Sequence, residues 1–269
     1  MAVSFFRDNV VWLTGASSGI GEGLAYALAQ QNAKLILSAR RVEELERVKR
    51  NCAGDSARIA ILPLDVADLD AAPEKAKLAH AVFGHIDILV NNAGIGFRGY
   101  VADTDIAVQQ RVMQVNYFGQ VALTKAVLPY MMQQHRGHIV VISSLTGKLP
   151  VPGRTAYCAS KHALHGFFDA LRGEVFADGI QVTIVCPGFV QTHISENSLL
   201  ADGTKRGGKA DKEHRSSLTI QESAQHILYA IRTGKEEYDY GGWEKWAVPI
   251  RKFLPWLYSR AIRRVRLSS

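Results

Sequence analysis

The sequence predicts an α/β fold in which one doubly wound parallel sheet carries helices on both faces. Short, nearly continuous apolar runs rich in β-branched residues alternate with longer helical stretches, the pattern of a parallel sheet buried on both sides. A glycine-rich turn follows the first apolar run directly. At 269 residues, 47% hydrophobic and 21% charged, the chain suits one large domain with a full core.

The strands are expected at 9–14 (NVVWLT), 34–38 (KLILS), 58–64 (RIAILPL), 86–91 (IDILVN), 138–143 (HIVVIS) and 181–186 (QVTIVC). Helices are expected near 19–31, 42–52, 68–84, 105–134, 155–178 and 219–233, so that each crossover is a right-handed βαβ unit. Residues 1–242 form the expected main domain, with a polar, mobile stretch at 191–217 that follows a strand end. Residues 243–269 form a C-terminal tail and not a separate domain.

Three cysteines, Cys52, Cys158 and Cys186, are an odd count without metal-like spacing, which points to a reducing compartment. The first residues run straight into a strand without a charged head or cleavage site, so no signal peptide is expected. No uncharged apolar run is long enough to span a membrane. The net charge of +7 is uneven. The tail holds Lys245, Arg251, Lys252, Arg260, Arg263, Arg264 and Arg266 against Glu244 alone, which leaves the body nearly neutral.

Two motifs carry chemistry. In Thr14-Gly15-Ala16-Ser17-Ser18-Gly19-Ile20-Gly21, glycines let the backbone turn tightly and approach a pyrophosphate at the N-terminus of the next helix, a Rossmann-like arrangement. In TAYCASKHAL, Tyr157 and Lys161 are four residues apart and project from one helix face. An ammonium beside a phenol is expected to lower the phenol's pKa towards the working range, so that it can give or take a proton. The Tyr157–Lys161 spacing alone is weak, whereas the glycine turn gains weight from its place directly after the first strand. His162 and His165 read as packing or surface residues, and no metal site is expected.

Together, TGASSGIG, Asn91-Asn92-Ala93-Gly94, Ser144 thirteen residues before Tyr157, Lys161, and Pro187-Gly188 followed by Thr192 resemble the short-chain dehydrogenase/reductase family, in its compact branch. The resemblance covers roughly residues 8–195. It implies a nicotinamide-dependent oxidoreductase acting on a CH–OH or carbonyl carbon. Tyr157 is then the general acid/base, Lys161 tunes it and holds the nicotinamide ribose, and Ser144 orients the substrate oxygen, with Ser143 as its competitor. Asn116, in VNYFG, matches the helix asparagine that supports a proton relay. Cofactor contacts are implied for Gly15, Ser17, Ser18, Gly19, Ile20, Gly21, Asp65, Val66, Asn92, Ala93, Gly94, Pro187, Gly188, Val190 and Thr192. The family also implies a homodimer or homotetramer, paired through the helices that carry Asn116 and Tyr157.

At the end of the second strand an acid would bond the adenosine 2′-hydroxyl. That position is Ala39, followed by Arg40 and Arg41, whose guanidiniums can clamp a 2′-phosphate. NADP(H) is therefore the expected cofactor. Segment 193–217 is expected to cover the substrate. Phe189, Leu145, Leu149, Val151 and Pro152 are expected to make an apolar mouth for a hydrophobic ketone, aldehyde or alcohol.

In the tail, Trp243, Trp246, Phe253, Trp256, Leu257 and Tyr258 interleave with cations, and Pro249 and Pro255 should break it into short helices. Interfacial membrane contact is the favoured reading, ahead of packing on the domain or a partner subunit. No nucleic-acid partner is expected. A further likeness of this tail to lipid-associated, microsomal-type members of the family supports that order. The expected location is cytoplasmic, or peripheral on a membrane surface. A different class of function stays open: a non-catalytic NADP(H)-binding sensor or scaffold that acts through its basic tail.

Overall fold

The structure is a computed structural model that describes residues 5–207 and 217–265. The expected lid stretch 208–216 and the tail residues 266–269, with Arg266, lie outside the described residues. Among the described residues the strands are β1 (Val10–Thr14), β2 (Lys34–Ser38), β3 (Ile59–Ile61), β4 (Ile88–Asn91), β5 (Gly137–Ile142), β6 (Ile180–Pro187) and β7 (Glu237–Tyr240). They pair in parallel in the order β3-β2-β1-β4-β5-β6-β7. Six of these strands fall where the apolar runs placed them; β7 was not foreseen.

Alternation along the strands splits the core in two. Val10 and Trp12 face helices α3 (Ala72–Phe83), α5 (Gly119–Gln133) and α6 (Thr155–Glu174), whereas Val11 and Leu13 face α1 (Gly19–Gln30), α2 (Val42–Asn51) and α7 (Ile220–Arg232). Both layers are closed by fully buried aliphatic side chains. The expected helix 105–134 is one rod with a fault in it. α4 (Ile106–Met113) passes through a π-helical turn, Gln114–Phe118, into α5. The expected helix 155–178 ends at Glu174 and continues as a 3₁₀ turn, Phe176–Asp178.

Two short helices, α8 (Ala247–Phe253) and α9 (Pro255–Ile262), complete the described chain. Pro255 opens α9 and breaks the tail as expected. Pro249 does not break it, because it sits in the first turn of α8, where an N–H has no helical partner to lose. None of the described helices is long and apolar enough to cross a membrane.

One buried histidine gives the fold a pH signature. His138 on β5 is 5% exposed and contacts Thr183 Oγ1 at 2.8 Å. Burial pushes its pKa down from 6.5 to about 4. Between these values the unfolded chain binds more protons than the folded one, so stability falls as pH drops from 6.5 to 4, by roughly 3 kcal/mol. Urea unfolding across that window should show the loss, and a His138→Val protein should show a shallower one.

Candidate functional site

The strand order reverses between β1 and β4, and the crevice at their C-terminal ends is where ligands enter sheets of this kind. A cavity of about 710 Å³ occupies that crevice. Its floor is the glycine-rich turn. Gly15 and Gly19 hold φ of 65° and 59°, which favours glycine. A Cβ at Gly15 would sit 2.9 Å from the Ala93 backbone, and one at Gly21 would collide with the carbonyl of Gly15. Ser18 precedes α1 without capping it through its side chain, which leaves the first helical amides open to an anion.

The turn is braced from behind. Thr14 Oγ1 accepts from the N–H groups of Asn92 and Ala93 at 3.0 and 3.1 Å, and Asn92 Nδ2 donates to the Thr14 carbonyl at 2.9 Å. Arg47 on α2 forms two bonds to Glu22, at 2.8 and 3.0 Å, which ties α2 to the start of α1. Neither Thr14 nor the Arg47–Glu22 pair was singled out from sequence. The pair is 25 residues apart, and no local pattern announces it.

At one end the cavity is lined by Ser17, Ser18, Ile20, Ser38, Ala39, Arg40, Arg41, Asp65 and Val66. Arg40 and Arg41 are exposed and form no ion pair among the described residues. The other end is lined by Gly94, Ser143, Ser144, Tyr157, Lys161, Pro187, Gly188, Val190 and Thr192. Pairing of Ile142 with Val185 across β5 and β6 places Ser144 beside Pro187.

Ser144 Oγ accepts from Thr146 N and Oγ1 at 3.1 and 2.9 Å, and it lies near enough to the Tyr157 phenol to oppose part of the rise in its pKa. Ser143 points the other way, buried against the Lys161 carbonyl and His165. That geometry favours Ser144 as the serine that faces a ligand. One turn along α6 from Tyr157, Lys161 is 3% exposed and donates to the Ile142 carbonyl at 2.8 Å, with Nζ 5.7 Å from the Tyr157 ring centroid.

The expectation that Lys161 depresses the Tyr157 pKa is not met by these groups alone. Burial raises the phenol, and Arg154 and Ser144 only partly oppose it. Lys161 is itself drawn down to about 8 by burial. Desolvation disfavours both charges, and the ammonium bonds a carbonyl in place of the phenol oxygen.

Asn116 sits in the π turn, fully buried. Its Oδ1 accepts from Ile95 N at 2.8 Å, and its Nδ2 donates to the Ile95 carbonyl and to Ser160 Oγ at 2.9 and 3.1 Å. The side chain therefore staples the Gly94–Ile95 wall to α6. The extra residue of the π turn is consistent with this inward aim, a device that periodicity alone does not reveal.

The expected apolar mouth is corrected. Leu145 and Leu149 are buried in the main core, because the 3₁₀ turn Leu145–Gly147 tucks them inward. Neither they nor Val151, Pro152 or Phe189 line the cavity. Its apolar wall comes from Ile95, Val108, Ile194 and Leu199 instead, next to a small core cluster that includes Tyr157. The described part of the expected lid is anchored: Leu199 N donates to Gly96 O at 3.0 Å, and Arg98 N donates to Leu199 O at 2.9 Å.

His165 belongs to a polar network. Its Nδ1 lies 3.2 Å from Glu237, and Lys148 Nζ pairs with Glu237 and Asp239 at 2.6 and 2.5 Å. His165, Cys186 and Glu237 converge closely enough to hold an ion, but the cation beside the carboxylates is the Lys148 ammonium. The network pins the turn after Ser144 to β7.

A nicotinamide dinucleotide fits this cradle: a glycine floor with no room for side chains, open helix amides for a pyrophosphate, and polar Ser144, Tyr157 and Lys161 at the far end. The chain belongs to the short-chain dehydrogenase family, whose model matches residues 9–202. It is similar to human dehydrogenase/reductase SDR family member 7, 48% identical over 236 residues, covering 86% of this chain and 69% of that protein. The rat family member 7B is 43% identical over 243 residues, covering 88% of this chain and 74% of the relative. A solved short-chain dehydrogenase from Streptomyces avermitilis superposes with a TM-score of 0.81 at 28% identity, covering 94% of this chain and 95% of that one. The chain is thus an oxidoreductase of the dehydrogenase/reductase class that uses a nicotinamide dinucleotide.

Proposed function

We propose that this chain transfers a hydride between NADP(H) and the carbonyl or hydroxyl carbon of a hydrophobic ketone, aldehyde or secondary alcohol. The observation that carries the reading is that Ser144, Tyr157 and Lys161, the last one turn along α6 with its Nζ 5.7 Å from the Tyr157 ring, all line the cavity floored by the glycine turn. Tyr157 gives the substrate oxygen its proton in reduction and takes it in oxidation. Ser144 donates to the same oxygen, where negative charge develops. Lys161 holds the nicotinamide ribose and places a positive charge beside the phenol as the proton moves. Asn116 supports the relay as a positioning residue, through Ile95 and Ser160.

Arg40, with no acid at Ala39 and no ion pair among the described residues, supports NADP(H) over NAD(H). Arg40→Ala should lower the NADPH-over-NADH ratio of kcat/KM at least ~10-fold, a change worth about 1.4 kcal/mol. A variant that kept the same ratio would remove this argument.

The apolar wall of Ile95, Val108, Ile194 and Leu199 supports a hydrophobic substrate. Exposed Ile106, Phe118 and Met132 along α4, the π turn and α5 support a homodimer or homotetramer. We read residues 1–242 as the catalytic domain and 243–269 as its tail, in contact with a membrane surface. The test is NADPH oxidation by the purified protein over steroid, retinoid, quinone and fatty aldehyde or ketone substrates. Tight NADPH binding with no turnover on any of them would favour a cofactor-binding sensor.

A further inference from the structure

Surface helices turn their apolar face to the core and their polar face to water. The C-terminal segment follows this only in part: Ala247, Val248 and Tyr258 pack against the main core, but its largest rings turn away from it. Across the 3₁₀ turn Trp243–Trp246, α8 and α9, polar groups add further contacts with the domain. Glu244 accepts from Phe189 N at 3.1 Å, Arg251 lies 3.4 Å from His162 Nε2, and the Tyr258 hydroxyl donates to the Pro150 carbonyl at 2.6 Å. Facing away are Trp243, Trp246, Phe253 and Trp256, which are 74%, 66%, 72% and 66% exposed. Four such rings exceed the scattered apolar exposure normal for a protein surface.

The charge on this face is one-sided. Lys245 Nζ lies 5.7 Å from the Trp246 ring and Lys252 Nζ 5.6 Å from the Phe253 ring, and Arg260, Arg263 and Arg264 are exposed further along the segment. The lone acid, Glu244, is turned inward. A partner for this face must be apolar at its surface and anionic at its edge. A second copy of the same face would bring cations against cations. The inward contacts also reach the rim of the cavity: Phe189 lies between the lining residues Gly188 and Val190, and His162 follows Lys161.

We propose that residues 243–265 seat the protein on an anionic bilayer leaflet, rings in the interface and cations at the headgroups, so that the cavity draws its substrate from that leaflet. The proposal rests on the hydrophobic-substrate reading above and names the route by which that substrate arrives.

The test uses the full chain with NADPH bound and sedimentation against vesicles of phosphatidylcholine, with and without phosphatidylserine. Binding should be at least ~10-fold tighter on the anionic vesicles and should weaken with salt. A Trp243→Ser/Trp246→Ser/Phe253→Ser/Trp256→Ser protein that still binds NADPH should bind vesicles at least ~10-fold more weakly. Because that variant could misfold, the wild-type indoles should also be quenched by lipids brominated in the acyl chain. Equal pelleting of variant and wild type, or no quenching, would overturn the docking. So would a wild-type dimer that ignores vesicles and dissociates in the variant, which would assign the face to a second copy.

Delivery is read from kinetics. The variant should lose at least ~10-fold in rate on a long-chain ketone dissolved in vesicles and keep the wild-type rate on a short water-soluble ketone. Equal effects on both would overturn the delivery step. No wild-type turnover on either ketone would sink the oxidoreductase reading itself, and sedimentation would still decide the docking.

Discussion

Tyr157→Phe should abolish turnover, by about 10³-fold or more, while the affinity for NADPH stays within about twofold of wild type. The hydroxyl is the single group removed. The ring stays packed in the small cluster with Phe97, Val108, Val112 and Ala156, so the cavity keeps its shape. Stability near pH 7 should change little on this account, because the phenol is neutral in both folded and unfolded chains there. Ser144→Ala should cost less, about 10²-fold, since in the proposed reaction Ser144 donates to the developing charge but exchanges no proton. The double variant should be no worse than Tyr157→Phe, because the two act as one unit. Single-turnover kinetics with NADPH, together with quenching of indole fluorescence by the cofactor, separates chemistry from binding. A Tyr157→Phe protein that kept about a tenth of wild-type turnover would take the proton from this tyrosine and hand it to another group.

That experiment probes a site whose parts were unevenly legible. The inner strands could be read because their buried runs are continuous. β7 could not: Glu237 and Asp239 alternate with Tyr238 and Tyr240, so its sequence reads as a polar loop. The structure explains the pattern, with the tyrosines packed beside Ser223 and His226 and the acids paired with Lys148. Motif spacing brought Ser144, Tyr157 and Lys161 into one cavity correctly, because a strand end and a helix face are fixed by local geometry. The substrate wall was misread for the opposite reason. Leu145 and Leu149 were assigned by adjacency to Ser144, but a 3₁₀ turn reverses which way they point. The residues that do form the wall come from two distant stretches, one before Ser144 and one after α6, and only the closed fold assembles them.

Lys161 should prove costly to the fold and indispensable to the reaction. Its pKa is drawn from 10.5 to about 8 by burial. Below pH 8 the ammonium is charged in both folded and unfolded chains, and the folded state bears a desolvation cost of roughly 3 kcal/mol. Between pH 8 and 10.5 the unfolded chain binds more protons than the folded one, so stability rises with pH through that window. Above 10.5 both forms are neutral and the cost is gone. Lys161→Met removes the charge and keeps the volume, but it leaves the Ile142 carbonyl without its donor, a loss of about 1 kcal/mol. The cofactor-free variant should therefore be more stable than wild type by roughly 2 kcal/mol at pH 7, and the advantage should shrink and reverse towards pH 11. Turnover should fall by about 10²-fold or more, and NADPH should bind more weakly, since the variant has lost both the charge beside Tyr157 and a donor to the ribose. Urea unfolding at pH 7 and pH 10.5 measures the first effect, and steady-state kinetics measures the second. A variant less stable than wild type at pH 7 would mean that the Ile142 bond and its surroundings already compensate the buried charge. In that case the ammonium would be held in place for stability, and its position beside Tyr157 would carry no argument for catalysis.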